Sequence, residues 1–448
     1  MRTRILAVLI CLWCAAPANA QEQSQALTGD SLLDGSQLQE IWIHVNATDW
    51  QQLTAGYLEG TYYPADLEWR GLRVSNVGIR VRGRFSRNGH KPSLRVDFNR
   101  YVSGQEFLGL KSLVLNGSWQ DPSMIRDRVS MAAFRRMGMA APRQSHTRLY
   151  IGARREYAGV YTVVEAVDKA FLQRTLGEDS GHLYEYHWHE PYGFEDRGSD
   201  LDWYAERFEP KTDSDGSTAN LFTPIKRMVE AINDAHDPRI EEVVEPYLDL
   251  QKVMTYLAVQ NFLSQKDGLL GDFGMNNFYL YRFDATSRSQ LIPWDQDLAF
   301  ESPDVPPWQN MGANVLAGKI WDSPTLRAAY LSALVEVVRT LGTPTSGGGT
   351  CARPEGESPC SWLEQEVLYD YSQIRDAALS DPLTPYSPEE FERWVEFIRQ
   401  FARNRGDIVL EHIGRPAPGL PERVRPISGA SLSGSPRGPK GSAPQRPR

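Results

Sequence analysis

The chain has 448 residues, 41% of them hydrophobic and 10% aromatic, which is enough apolar material for one large domain or two average ones. A net charge of −9 argues against general nucleic-acid binding, which needs a basic face. Beyond the N-terminus no stretch reaches the roughly 20 apolar residues that a membrane span requires.

Residues 1–20 read as a signal peptide. Arg2 and Arg4 supply the positive start, an apolar run follows over 5–16, and Ala18-Asn19-Ala20 is a small-x-small cleavage site. Cleavage after Ala20 predicts a secreted or periplasmic protein. Cys11 and Cys14 fall within that segment, which leaves Cys351 and Cys360 to close one short disulfide loop in an oxidising compartment. Zinc is the weaker reading for that pair, because no third or fourth ligand sits at suitable spacing.

Residues 21–38 are polar and predict a flexible leader. Ile41-Trp42-Ile43-His44-Val45 alternates like a strand, and Thr48 or Asp49 is positioned to cap a helix after it. Val77–Arg82 and Ser93–Phe98 alternate apolar with polar, around a basic glycine-containing turn at 83–89. Leu113-Val114-Leu115 predicts another strand. A helix is expected over 123–137, with Ile125, Val129, Ala132, Ala133 and Met137 as its apolar stripe and Gly138 ending it. Strands at 147–151 and 159–164 and a helix at 168–176 come next. Residues 177–220 are aromatic and acidic, with little periodicity. Helices are expected at 222–235 and 249–265, a hairpin at 277–282 and 290–294, and mainly helix over 318–342 and 360–413.

From residue 414 the composition turns to Pro, Gly, Ser and Arg, which predicts a disordered basic tail over 414–448. A solvated tail is the plain reading, and contact with an anionic cell-envelope surface is the alternative. Strands followed by helices define an α+β architecture over 39–413, divided into a strand-rich part at about 39–165 and a helical part at about 166–413.

The densest chemistry lies between residues 265 and 297. Asp267 follows an amphipathic helix, Asn276 and Asn277 enter the hairpin, and Asp295 and Asp297 leave it. A hairpin brings its start and end together, so Asn277 is expected beside Asp295. On an extended backbone Asp295 and Asp297 would share a face. Such hard oxygen donors suit Mg²⁺ or Mn²⁺, and a further carboxylate could accept a proton, as phosphoryl transfer requires. Each Asp or Asn taken singly is as well explained by a turn. Asp267 and Asp295 could also flank a sugar, as in a glycosidase. No Gly-x-Ser-x-Gly elbow is present to support a serine hydrolase. His187-Trp188-His189 lacks a third ligand in register and reads as a loop or strand face.

Several segments, taken in order, resemble the CotH kinase family, the spore-coat protein H-like atypical protein kinases. They are Val81-Arg82-Gly83-Arg84-Phe85-Ser86-Arg87, Lys91-Pro92-Ser93-Leu94-Arg95-Val96, Ile125-Arg126-Asp127-Arg128 and Gly159-Val160-Tyr161-Thr162-Val163-Val164-Glu165. Asn277-Phe278-Tyr279-Leu280-Tyr281 and Pro293-Trp294-Asp295-Gln296-Asp297 are the most specific. The resemblance covers roughly 41–300, more weakly to 413. It implies an atypical protein-kinase-like two-lobed fold, with a strand-rich N-lobe and a helical C-lobe around ATP and Mg²⁺ or Mn²⁺. The implied substrate is a protein bearing Ser or Thr. By the same resemblance Asp267 would be the base, Asn277, Asp295 and Asp297 the metal ligands, and Arg82, Arg84, Arg87, Lys91 and Glu165 the nucleotide contacts.

The pattern departs from ordinary protein kinases in three places. The span from Asp267 to Asn277 is long, and Asp272, five residues before Asn277, is an alternative base. The helix at 123–137 has no glutamate to pair with a lysine, so Asp127 or a residue elsewhere would replace that ion pair. Asp272-Phe273-Gly274 spells a kinase tripeptide in the wrong place. A catalytically silent envelope protein on the same fold is the alternative, because little ATP is found outside the cytoplasm.

Overall fold

Alternating apolar and polar residues close the first half of the chain into a seven-stranded barrel. The computed structural model describes residues 27–415, apart from 213, 215, 345–348 and 354–355. The expected signal peptide and almost all of the expected tail lie outside the described residues.

The barrel strands are β1 (Gln39–Val45), β2 (Tyr63–Trp69), β3 (Leu72–Val81), β4 (Leu94–Asp97), β5 (Ser112–Asn116), β6 (Gln144–Ile151) and β7 (Glu156–Glu165). They run in the order β1-β2-β3-β4-β5-β7-β6, and a parallel β1–β6 pairing closes the ring. Ile41, Leu67, Ile79, Leu94, Val96, Leu113 and Leu149 fill the interior, all fully buried. Each such side chain contributes about 1.5–3 kcal/mol, and closure leaves no free sheet edge. Because the apolar partners face in, Arg80, Arg82, Arg95 and Asp97 face out.

Two local expectations are corrected here. Helix α1 (Gly29–Leu32) lies within the expected leader, and Leu32 and Leu33 join the barrel core. Residues 29–38 are therefore folded, because two leucines in a polar segment find an apolar barrel end to bury against. Helix α2 (Ala47–Ala55) is capped by neither Thr48 nor Asp49. Asn46 caps it, its side chain accepting from Thr48 N at 2.8 Å.

Helix α3 (Arg126–Arg136) is buried from Arg126 through Phe134, beyond the single stripe its periodicity predicts. It lies in the core of the second half, with α4 (Lys169–Leu176), α5 (Leu201–Arg207), α6 (Thr218–Asp234), α7 (Ile240–Val244) and α8 (Leu250–Phe262) preceding the hairpin. Helices α9 (Val315–Asp322), α10 (Pro324–Val337), α11 (Trp362–Leu379) and α12 (Pro388–Ile413) follow it.

The second half is not purely helical. A four-stranded sheet runs β11 (Ser289–Pro293), β10 (Phe278–Arg282), β8 (His182–Tyr186), β9 (Phe208–Pro210). Thus β8, β9 and α5 occupy the segment that showed little periodicity. The partner of β8 is β10, which lies almost a hundred residues downstream, so local sequence carries no trace of the pairing. A last hairpin, β12 (Thr350–Arg353) and β13 (Gly356–Pro359), is closed by the expected Cys351–Cys360 disulfide, with a Cα–Cα distance of 5.7 Å. No helix among the described residues is long and apolar enough to cross a membrane.

A small third core joins the two halves. Val114 and Val164 from the outer barrel wall meet Leu183, Tyr279, Ile292 and Trp294 from the sheet. The main cavity opens beside this seam.

Candidate metal and anion site

The cavity has a volume of about 480 Å³, within the usual range for small-ligand sites. Its barrel wall carries Arg80, Arg82 and Arg95, and the glycine turn adds Arg84 and Arg87. The sheet supplies Glu185, His187, Glu209 and Lys211, and the hairpin ends supply Asp267, Asn277, Asp295 and Asp297.

Backbone geometry explains how the hairpin ends reach the cavity. Phe278 pairs with Pro293 at the mouth of the β10–β11 hairpin, and Trp294 N donates to Asn277 O at 3.1 Å. Asn277 and Asp295 are both left-handed, with φ of 56° and 49°. Asn and Asp tolerate that region better than other side chains. The expectation that Asp295 continues an extended strand is therefore corrected. The strand ends at Pro293 and the chain turns at Asp295, yet Asp295 and Asp297 still share the cavity while Gln296 points into the core.

Asp267 is held from two sides. Asn276 Nδ2 donates to both of its carboxylate oxygens at 3.1 Å. Asn277 Nδ2 donates to its backbone oxygen at 2.8 Å and its Oδ2 at 3.0 Å. Burial pushes the Asp267 carboxyl up to about 6, against those hydrogen bonds. With the Asn277 amide nitrogen turned to Asp267, its Oδ1 is the atom left to face a cation. Asp272 lines a different, much smaller crevice and accepts from Asn310 Nδ2 at 2.9 Å. Geometry thus separates the two candidate bases and places Asp267 in the cavity.

The cavity carboxylates fall into two electrostatic sets. Lys211 Nζ lies 2.9 Å from Glu185 and 3.3 Å from Glu209, and His187 Nε2 lies 2.7 Å from Glu209. The His187 hydrogen bond, helped by Lys211, pulls Glu209 down to about 2. Burial pushes Glu185 up, but Lys211 and Arg82 outweigh it and leave it lowered. Asp267, Asp295 and Asp297 have no cationic side chain within 4 Å among the described residues. Burial raises Asp295, with Arg82 opposing, and raises Asp297 well above the carboxylate range, with Asp295, Asp127, Asp121 and Asp267 adding to it. Carboxylate and amide oxygens of this kind are the donors that hard cations such as Mg²⁺ or Mn²⁺ prefer.

The barrel side of the cavity carries the opposite charge. Arg80 and Arg95 stand directly across from each other on β3 and β4, with Arg82 two residues on. Like charges in that register destabilise a sheet. Neither they nor Arg82 has a carboxylate within 4 Å among the described residues. Arg82 stacks over Trp294 at 5.1 Å.

The remaining expected contacts divide. Arg84 lines the cavity but donates to the Trp188 backbone oxygen. Arg87 staples its own turn, donating to Gly83 O at 2.6 Å and Leu58 O at 2.8 Å. Gly83 sits at φ 103° in that turn, where an added Cβ would come within 2.8 Å of Ser86 Oγ.

Lys91 and Glu165, both expected at the nucleotide, are not among the residues that line the cavity. Lys91 is buried against Asp381 at 2.7 Å. Glu165 is clasped by Arg143 at 2.8 Å and Arg174 at 2.6 Å. Nor does Asp127 pair with a lysine: it accepts from Gln144 and from Gln296 N. Arg95 and Lys211 were not singled out from sequence, although Arg95 stands at a polar position of an alternating strand. Lys211 gave no local signal.

The fold and site define an α+β protein in which one cavity brings a cluster of arginines together with a cluster of aspartates. The sequence pattern of the family described as CotH kinase protein matches residues 79–345, well over half of the chain, and the chain belongs to that family. It is 24% identical over 387 residues to the "Inner spore coat protein H" of Bacillus subtilis (strain 168), covering 84% of this chain and 97% of that protein. Among solved structures, a Helicobacter pylori protein titled as the proinflammatory kinase CtkA shows a weak similarity. Its identity is 11%, its TM-score 0.25, and the match covers 72% of this chain and 94% of that one.

Proposed function

We propose that this chain is an exported, metal-dependent phosphotransferase of the kinase type, moving the γ-phosphate of ATP to a Ser or Thr hydroxyl of a protein. The observation that carries this reading is the charge split across one cavity, with unpaired carboxylates facing unpaired guanidinium groups. A metal–polyphosphate complex satisfies both walls at once, since arginine forks pair with phosphate oxygens and hard cations take carboxylates. Family membership supports the same chemistry.

In this reading Asp267 accepts the proton of the attacking hydroxyl. Its carboxyl at about 6 is suited to that work near neutral pH. Asn277, Asp295 and Asp297 would hold Mg²⁺ or Mn²⁺, and Arg82, with Arg80 and Arg95, would hold phosphate. The bound cation would neutralise charge on the phosphate oxygens. Export rests on the N-terminal signal pattern, and the name of the spore-coat relative fits a protein of the cell envelope.

One observation favours a second reading, a catalytically silent envelope protein on the same fold. Lys91 and Glu165, both expected at the nucleotide, are engaged in ion pairs elsewhere. Calorimetry of ATP binding to residues 21–448, with and without Mn²⁺, separates the two readings. Metal-dependent binding that disappears in Asp295→Ala supports the phosphotransferase. Absence of binding under every metal condition leaves the silent protein.

A further inference from the structure

Asp127 occupies the first turn of α3, where an acid ordinarily serves the helix N-terminus. Here Asp121 takes that part, its Oδ2 accepting Arg126 N at 2.9 Å. The Asp127 carboxylate turns instead to two other parts of the chain. Its Oδ1 accepts the Gln296 backbone N–H at 2.8 Å, and its Oδ2 accepts Gln144 Nε2 at 2.8 Å. Asp127 is buried and does not line the cavity.

Gln296 lies between the two cavity aspartates and is itself fully buried. Its side chain is anchored, Nε2 donating to Trp294 O at 2.7 Å and Oε1 accepting from Gln260 Nε2 at 3.3 Å. The direction of a peptide N–H follows from the torsions on either side of it, here ψ of Asp295 and φ of Gln296. Those torsions set how the Asp295 and Asp297 side chains leave the backbone. Fixing the N–H therefore restrains the relative placement of the two Cα–Cβ bonds from which the carboxylates reach the cavity.

We propose that Asp127 is the positioning residue of the Asp295–Gln296–Asp297 turn, aiming the two cavity carboxylates at one cation through its bond to the Gln296 N–H. This rests on the metal-binding reading above. Groups behind metal ligands hold them in this way, and losing one costs about 10–100-fold in metal affinity.

The test is Mn²⁺ affinity, by calorimetry on residues 21–448, for the native chain, Asp127→Ala, Asp127→Asn and Asp295→Ala, with a melting temperature for each. Asp127→Asn keeps an oxygen for the Gln296 N–H, and its amide can donate to Gln144 Oε1, a buried atom without a partner in the native chain. The expected result is about 10–100-fold weaker binding in Asp127→Ala and rescue to within about threefold in Asp127→Asn. Native affinity in Asp127→Ala overturns the proposal. So does an equal loss in both variants, which would mean that Asp127 acts by charge. If the native chain binds no Mn²⁺, or Asp295→Ala binds as tightly as native, the metal reading itself fails and takes the proposal with it. Should Asp127→Ala not fold, Gln144→Met decides. Removing the amide that orients Asp127 should weaken Mn²⁺ at least about threefold, and unchanged affinity overturns the proposal.

Discussion

Asn277 Nδ2 donates to Asp267 twice, to its backbone oxygen at 2.8 Å and its Oδ2 at 3.0 Å, tying a candidate metal ligand to the candidate base. One side chain thereby sets both the aim of the Asp267 carboxylate and the outward face of its own amide oxygen. Asp267→Asn should separate chemistry from binding. The phosphotransfer rate is expected to fall by about 10²–10⁴, with ATP–Mn²⁺ affinity within a few-fold of native. A base must be deprotonated to act, so the native rate should climb with pH through a limb at or below about 6, and Asp267→Asn should lack that limb. A rate profile from stopped time-points at fixed ATP reads both.

Without divalent cation the aspartate cluster should make stability depend on pH in an unusual direction. Burial pushes Asp127 up to about 7 and Asp267 up to about 6, and raises Asp297 well above its ordinary value. Groups with raised folded values bind more protons in the native state than in the unfolded chain. Their contribution is complete below about 4 and is lost as pH rises through the folded values. The metal-free melting temperature is thus expected to fall between pH 5 and 8, whereas Mn²⁺ or Asp297→Asn flattens the slope. A rising metal-free curve over that window would contradict the raised values.

The arginine cluster predicts opposite effects on stability and binding. Arg95 faces Arg80 across the β3–β4 ladder, a pairing that costs about 0.2–1 kcal/mol. Arg95→Met should leave the apo melting temperature unchanged or raise it, most visibly at low salt. ATP–metal affinity should drop about tenfold, in line with the loss of a charge-assisted phosphate contact worth about 1.5–3 kcal/mol. Calorimetry and thermal melts on the same sample check the pair of effects.

Lys91 predicts the reverse. Its ammonium and the Asp381 carboxylate are both sealed from solvent. Asp381 also accepts backbone N–H groups from Val160, Leu383 and Thr384, joining β7 to the segment after α11. Lys91→Met should cost about 3–5 kcal/mol by leaving a buried charge alone. Lys91→Met with Asp381→Asn should recover much of that loss. In urea titrations the pair should be strongly non-additive, while ATP affinity of the folded fraction stays native.

Several features were legible before any coordinates. The alternation at 77–82 and 93–98 shows strands, because a sheet with one apolar face must place every second residue inward. The hairpin and the residues at its two ends could be read from Asn277 and from Asp295 with Asp297, since a hairpin joins its own ends whatever surrounds it. The cysteine pair could be read because Cys351 and Cys360 are the two cysteines outside the first twenty residues.

Lys91 shows where sequence reasoning stops. A lysine at the head of a strand looks the same whether it faces a ligand or a buried acid, and the deciding residue, Asp381, lies 290 positions away. The β8–β9 pair likewise became visible only once β10 had supplied its partner strand. By itself the sequence determined the order of elements and the acidic segment at 265–297, because periodicity and turn chemistry act over a few residues. The tertiary structure decided which charges meet in one cavity and which neutralise one another in the core. Burial and pairing join residues far apart in the chain, and a buried charge keeps only the partner that the fold brings to it.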